Sequence, residues 1–80
     1  MQQQPSEPDV VPRWDRVIHK GIRTKDGAPV GIIASEEPGF IVVLGARSRV
    51  YKIPKSHVKS FDGSQMLIDI PAKEMGSYRV

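Results

Sequence analysis

Eighty residues, 39% of them hydrophobic and 26% charged, make one small folded domain: a chain this short buries roughly 60% of its unfolded surface, which supports one core and excludes a separate lid or cofactor domain. The absence of cysteine excludes disulfides, thiolate nucleophiles and cysteine-based zinc or iron–sulfur sites. A formal charge of +3 suits an acidic partner surface or a weak attraction to phosphate, and is modest for a dedicated nucleic-acid binder.

Residues 1–13 include Gln2, Gln3, Gln4, Pro5, Ser6, Glu7, Pro8, Asp9 and Pro12, with little apolar surface to offset the entropy of ordering them. They are expected to form a flexible tail anchored at its end by Val10 and Val11, with residues 14–80 as the domain. No apolar run approaches the roughly 20 residues that span a bilayer. The N-terminus also lacks the basic and apolar parts of a signal peptide, so the expectation is a cytoplasmic protein without membrane insertion.

From Trp14 onward, short runs rich in Val, Ile, Tyr and Phe are each closed by Gly, Pro or Asp, the pattern of strands and turns. A first strand is predicted over residues 17–24 and ends at Asp26 and Gly27, which supply the positive φ of a tight hairpin turn. A second follows over residues 29–35, and a second turn at Glu36, Glu37, Pro38 and Gly39. Phe40, Ile41, Val42, Val43 and Leu44 then form a continuous apolar strand, expected to be covered on both faces at the centre of the core.

After a turn at residues 45–48, residues 49–53 alternate apolar with basic, and Pro54 ends that strand because it cannot donate to a ladder. Residues 54–58 are too short for a helix and predict one tight turn. Lys59, Ser60 and Phe61 lead to an Asp62 and Gly63 turn and a last strand over residues 65–70. Pro71 starts a helical turn through Met75, with Gly76 as its stop and Met75 packed on an open end of the fold. Five or six short strands leave a small barrel or a two-sheet sandwich, and barrel closure removes the edges that aggregate.

The stretch Val17-Ile18-His19-Lys20-Gly21-Ile22-Arg23-Thr24-Lys25-Asp26-Gly27-Ala28-Pro29-Val30-Gly31-Ile32-Ile33 resembles the opening hairpin of the PRC-barrel family. Tyr51, Lys52, Ile53 and Pro54, with residues 58–70, are similar to that family's second signature, a strand ending in Ile-Pro followed by a valine, a turn and a final strand. The resemblance covers about residues 14–70 and rests on turn glycines and core aliphatics. It implies an all-β fold, a small six-stranded antiparallel barrel, here with a short C-terminal helical turn. It also implies docking onto other proteins or onto itself, as in a reaction-centre subunit, a ribosome-maturation factor and adaptors of archaeal cell division, and not enzyme activity.

Between Pro38 and Phe61 there is no acidic residue, whereas Arg47, Arg49, Lys52, Lys55 and Lys59 are cationic. The plainest account is a solvated edge that keeps strands from mispairing. The functional account is a rim where Arg47, Arg49, Lys55 and Lys59 converge. Trp14 either lids the barrel or stands exposed for a partner, and its large apolar area favours the lid.

His19 and His57 lack metal-ligand spacing. The serines sit in no nucleophile elbow, and Gly27, Gly31, Gly39 and Gly45 match no phosphate loop, reading instead as turns and a bend. An 80-residue barrel has little room for a catalytic pocket. No catalytic residue, metal or cofactor is therefore expected.

The functional expectation is an adaptor or scaffold that forms a homodimer or docks a protein by an exposed strand edge and an apolar patch. Its candidate contacts are Arg47, Arg49, Tyr51, Lys52 and Lys55, with Ile41 or Val43 if one side of their strand is open. The alternative is a small basic barrel that binds nucleic acid through the same segment.

Overall fold

The computed structural model describes Val11 and residues 13–80; the expected tail, apart from Val11 and Arg13, lies outside the described residues. Six strands follow in chain order: β1 (Gly21–Arg23), β2 (Pro29–Glu37), β3 (Phe40–Gly45), β4 (Val50–Pro54), β5 (Val58–Phe61) and β6 (Gln65–Ile68). Short 3₁₀ segments occupy Trp14–Arg16, Ala46–Ser48, Lys55–His57 and Ala72–Tyr78. The strands form one sheet in the order β4-β3-β2-β1-β6-β5.

Alternation along the strands puts Ile22, Ile33, Ile41, Val43, Tyr51, Ile53, Val58, Met66 and Ile68 on one face, where they form the core with Val11, Val17, Ile70 and Met75. The sheet bends around this core with the help of three irregularities in register, one of which makes Ala34 the extra residue between Ile33 and Ser35 opposite β3. Gly31 lies against the backbone of β3: a β-carbon there would stand 2.2 Å from the Leu44 carbonyl oxygen.

Two expectations are corrected here. The sheet is not wholly antiparallel, because β1 and β6 pair in parallel. Nor is it closed, since β4 and β5 are its two edges among the described residues and are not paired with each other. Both corrections have one cause in the segment Lys55–His57. A hairpin turn reverses the chain, but this segment does not: β4 and β5 run in the same direction, so it carries the chain around a corner from one edge of the sheet to the other. Its backbone joins the edges, with Lys55 N–H donating to the Gly39 carbonyl (2.9 Å) and the His57 carbonyl accepting from Asp69 N–H (2.9 Å).

Smaller differences are local. The first strand is shorter than expected because the chain turns at His19 (φ 70°) and Lys20 N–H bonds back to the Val17 carbonyl at 3.0 Å. Residues 58–61, read as a connection, form β5. The last helical segment runs past Gly76 to Tyr78, and Met75 is buried beneath it. Arg79 then bridges Tyr51, and Val80 N–H donates to the Val50 carbonyl at 2.8 Å, so the chain's own end covers part of the free edge of β4.

Candidate interaction surface

β3 and β4 each place alternate residues inside and outside. Ile41 and Val43 are 0% exposed; they are core, and their candidacy as contact residues is withdrawn because the face they occupy is the covered one. The opposite face of β3 is open, with Leu44 49% exposed, so the run from Phe40 to Leu44 is not covered on both sides. Tyr51 is also buried, on the inner face of β4.

Lys55, read as a rim cation, is 1% exposed. Its ammonium lies 2.6 Å from Glu36 Oε1 and 4.4 Å from the centre of the Trp14 ring, and Trp14 itself packs against the core. A lysine beneath an aromatic ring and beside a carboxylate is held in place, not presented to a partner. Lys59 stands on β5, at the other edge of the sheet from Arg47 and Arg49, so the expected convergence of Arg47, Arg49, Lys55 and Lys59 does not occur. Of the named cations, Arg47 and Lys52 are exposed and Arg49 is half-buried around the β3–β4 hairpin.

The register shows what lies between these cations. Residues directly opposite each other on neighbouring strands project to the same face. Ile32 pairs with Leu44, Leu44 with Val50, and the Tyr51 bridge to Arg79 brings Val80 opposite Val50. Ile32, Leu44, Val50 and Val80 therefore form one row across the outer face. The large hydrophobic residues most exposed among those described are Ile32 (48%), Leu44 (49%) and Val80 (75%), and all three belong to this row. The next row joins Ser35, Val42 and Lys52, and the one after it joins Glu37, Phe40 and Pro54.

The hairpin tip at the end of the apolar row is strained. Arg47 (φ 60°) and Ser48 (φ 61°) both adopt the left-handed conformation, which costs a non-glycine residue on the order of 1 kcal/mol or more. The strain is held by Gly45 N–H donating to the Arg49 carbonyl at 2.8 Å and Arg49 N–H to the Ala46 carbonyl at 3.2 Å. Farther along the outer face, a groove of about 550 Å³ runs between Phe40, Lys52 and Pro54 and the C-terminal Tyr78, Arg79 and Val80. The Lys52 ammonium stands 4.3 Å from the centre of the Phe40 ring. The surface thus combines an apolar strip with a cationic border.

Elsewhere, His57 Nδ1 is 2.7 Å from Asp69 Oδ1, and its ring meets Tyr78 edge-on at 5.8 Å, fastening the corner segment to the end of the chain. No group of three or more potential metal ligands occurs among the described residues, and none of their helices is long and apolar enough to cross a membrane. The row itself escaped the sequence reading. A usable signal was present, since Ile32 and Leu44 alternate with the core residues Ile33 and Val43, but only the strand register shows that they are neighbours.

No protein-family model and no curated protein matches the chain. Among solved structures, the fold is similar to that of a 16S ribosomal RNA processing protein, RimM, from Pseudomonas aeruginosa, with a TM-score of 0.62 at 19% identity over 89% of this chain. The chain spans about half of that structure, covering 50% of it.

Proposed function

We propose that this chain is a non-catalytic adaptor of the PRC-barrel type, acting in the cytoplasm within a ribosome-maturation-like assembly, and that it docks a protein segment on the outer face of β2, β3 and β4. The observation that carries this reading is the exposed row of Ile32, Leu44, Val50 and Val80, which continues from strand to strand. Single exposed aliphatics are ordinary on a surface, whereas a contiguous patch marks an interaction site.

The border selects the occupant. Arg47 at the hairpin tip, Lys52 in the next row and Arg79 in the wall of the adjoining groove border the row, so an apolar segment flanked by carboxylates gains at both its centre and its ends. A homodimer through this face would set the same cations against each other. The strain at Arg47 and Ser48 fits a tip held ready for contact. The sequence resemblance includes a ribosome-maturation factor, and the fold likeness is to a ribosomal RNA processing protein; both support the same setting.

Sedimentation with small ribosomal subunit particles, before and after nuclease treatment, tests the reading. The wild-type chain should travel with the particles, resist both nuclease and added salt, and be released when Ile32→Lys and Leu44→Glu are combined in a folded variant. A chain that does not sediment with the particles, that salt alone releases, or whose double variant sediments unchanged would overturn it.

A further inference from the structure

A second feature lies at the β5 edge of the sheet, away from the β4 groove. Arg13, Arg16, Lys20, Phe61 and Gly63 line a concavity of about 440 Å³. Three cations and an aromatic ring face one space, and among the described residues no carboxylate lines it. We propose that this concavity binds single-stranded nucleic acid, with Arg16 and Lys20 on the phosphates and a base against the Phe61 ring.

The surrounding structure keeps these groups available. The Trp14–Arg16 turn and the left-handed His19 bring Arg16 and Lys20 to the same side of the chain. The backbone at this bend is pinned to β2, with His19 N–H donating to the Ile33 carbonyl at 2.7 Å and Ile33 N–H to the Lys20 carbonyl at 2.9 Å. Opposite, Phe61 ends β5 and packs partly on the core, leaving the ring in the wall of the concavity.

Among the described residues, two acids are nearby in the chain, and both are engaged. Asp15 holds Arg13 through two contacts of 2.8 and 3.1 Å, which leaves Arg16 and Lys20 as the main anion contacts. Asp62 turns away into its own loop, where one oxygen accepts from Ser64 N–H (2.9 Å) and Gln65 N–H (2.8 Å).

The choice of ligand follows from combining ring with charge. A free phosphate would use the cations and ignore Phe61. A duplex would offer phosphates and no exposed base face. A single strand supplies both, and base-on-aromatic stacking with backbone cations is the general mode by which such strands are held. This site is separate from the outer-face row, and the two proposals fail independently.

The test is fluorescence anisotropy of a labelled ten-nucleotide RNA single strand mixed with the full chain at a series of salt concentrations. The wild type should bind at low salt and weaken steeply as salt rises. Arg16→Gln combined with Lys20→Gln should lower the salt slope by about 1.4, at about 0.7 per lost phosphate contact. Phe61→Leu, which keeps apolar packing and removes the π face, should weaken binding about fivefold or more with little change in slope.

Lys73→Glu, an exposed position on the Ala72–Tyr78 segment that lines neither surface, should leave affinity within about twofold if the site is local, with the circular-dichroism melting of every variant establishing that it is folded. No binding at low salt, wild-type affinity in the Arg16 and Lys20 double variant or in Phe61→Leu, or equal affinity for a duplex of the same sequence would each overturn the proposal.

Discussion

The Lys55 ammonium is 2.6 Å from Glu36 Oε1 while the lysine is 1% exposed, so the corner that joins the two edges of the sheet is fastened to β2 by a buried charge. Glu36 is 30% exposed, which screens the pair from one side and moderates its worth. Glu36→Gln is expected to cost about 1–2 kcal/mol, because it replaces the charged Glu36 carboxylate beside the buried ammonium with a neutral amide. Lys55→Ala is expected to cost about 3 kcal/mol, since it also removes the stem packed under Trp14 and leaves a cavity. Lys55→Met, which keeps the stem, should cost less than Lys55→Ala. Urea unfolding checks the order, and an alanine variant as stable as the methionine one would refute this account of the corner.

The inner and outer faces of β2 and β3 should respond oppositely to mutation. Ile41→Ala removes a fully buried side chain and is expected to cost about 2–4 kcal/mol. Leu44→Lys and Ile32→Lys, on the exposed row, should change stability by no more than about 0.5 kcal/mol. Thermal unfolding of the three variants separates them; a large loss from either lysine substitution would mean that the row is covered within the chain.

Gly31 on β2 faces the backbone of β3 with no room for a side chain. An added methyl would meet the Leu44 carbonyl oxygen at 2.2 Å and the Gly45 α-carbon at 2.8 Å, both backbone atoms that cannot swing aside. Gly31→Ala is therefore expected to destabilise by about 3 kcal/mol or to prevent folding. Gly76→Ala, where no atom lies within 4 Å of the added methyl, should be nearly neutral. Parallel melting curves make the comparison, and a tolerated Gly31→Ala would require the two strands to lie farther apart.

Asp26 joins the β1–β2 turn to the C-terminal segment. Its carboxylate accepts from the Thr24 hydroxyl (2.8 Å) and from Ala72 N–H (3.0 Å). These two bonds, the hydroxyl's first, hold its pKa below the ordinary value of 3.8. A carboxyl depressed in the folded state stabilises it above the unfolded pKa, and that contribution is lost as pH falls through the lower folded value. Asp62 and Asp15 are lowered as well, by loop N–H groups and by Arg13 respectively. The melting temperature is thus expected to fall on acidification below about pH 4, with a smaller fall in Asp26→Asn. Superimposable pH profiles for the two proteins would remove Asp26 from the explanation.

Much of the strand layout was readable because it is local. Alternation marks β4, Asp26 with Gly27 and Asp62 with Gly63 mark turns, and Pro54 marks a strand end, each a consequence of backbone sterics within a few residues. The single-residue forecasts failed where burial depends on distant chain. Ile41 and Val43 look like any other aliphatics until one face of β3 is covered. Lys55 looks like a surface cation until Trp14 and Glu36, 41 and 19 positions away in the sequence, close around it.

By itself, the sequence determined a cysteine-free, β-rich chain with short turns, because composition and two-residue periodicity act through local conformation. The tertiary structure alone decided the parallel pairing of β1 with β6, the open sheet order, the row of Ile32, Leu44, Val50 and Val80, and the concavity shared by Arg16, Lys20 and Phe61. Each of these joins segments far apart in the chain, and such a pairing depends on the direction in which a connection turns. At Lys55–His57 a corner took the place of a hairpin, and that choice set which residues became neighbours.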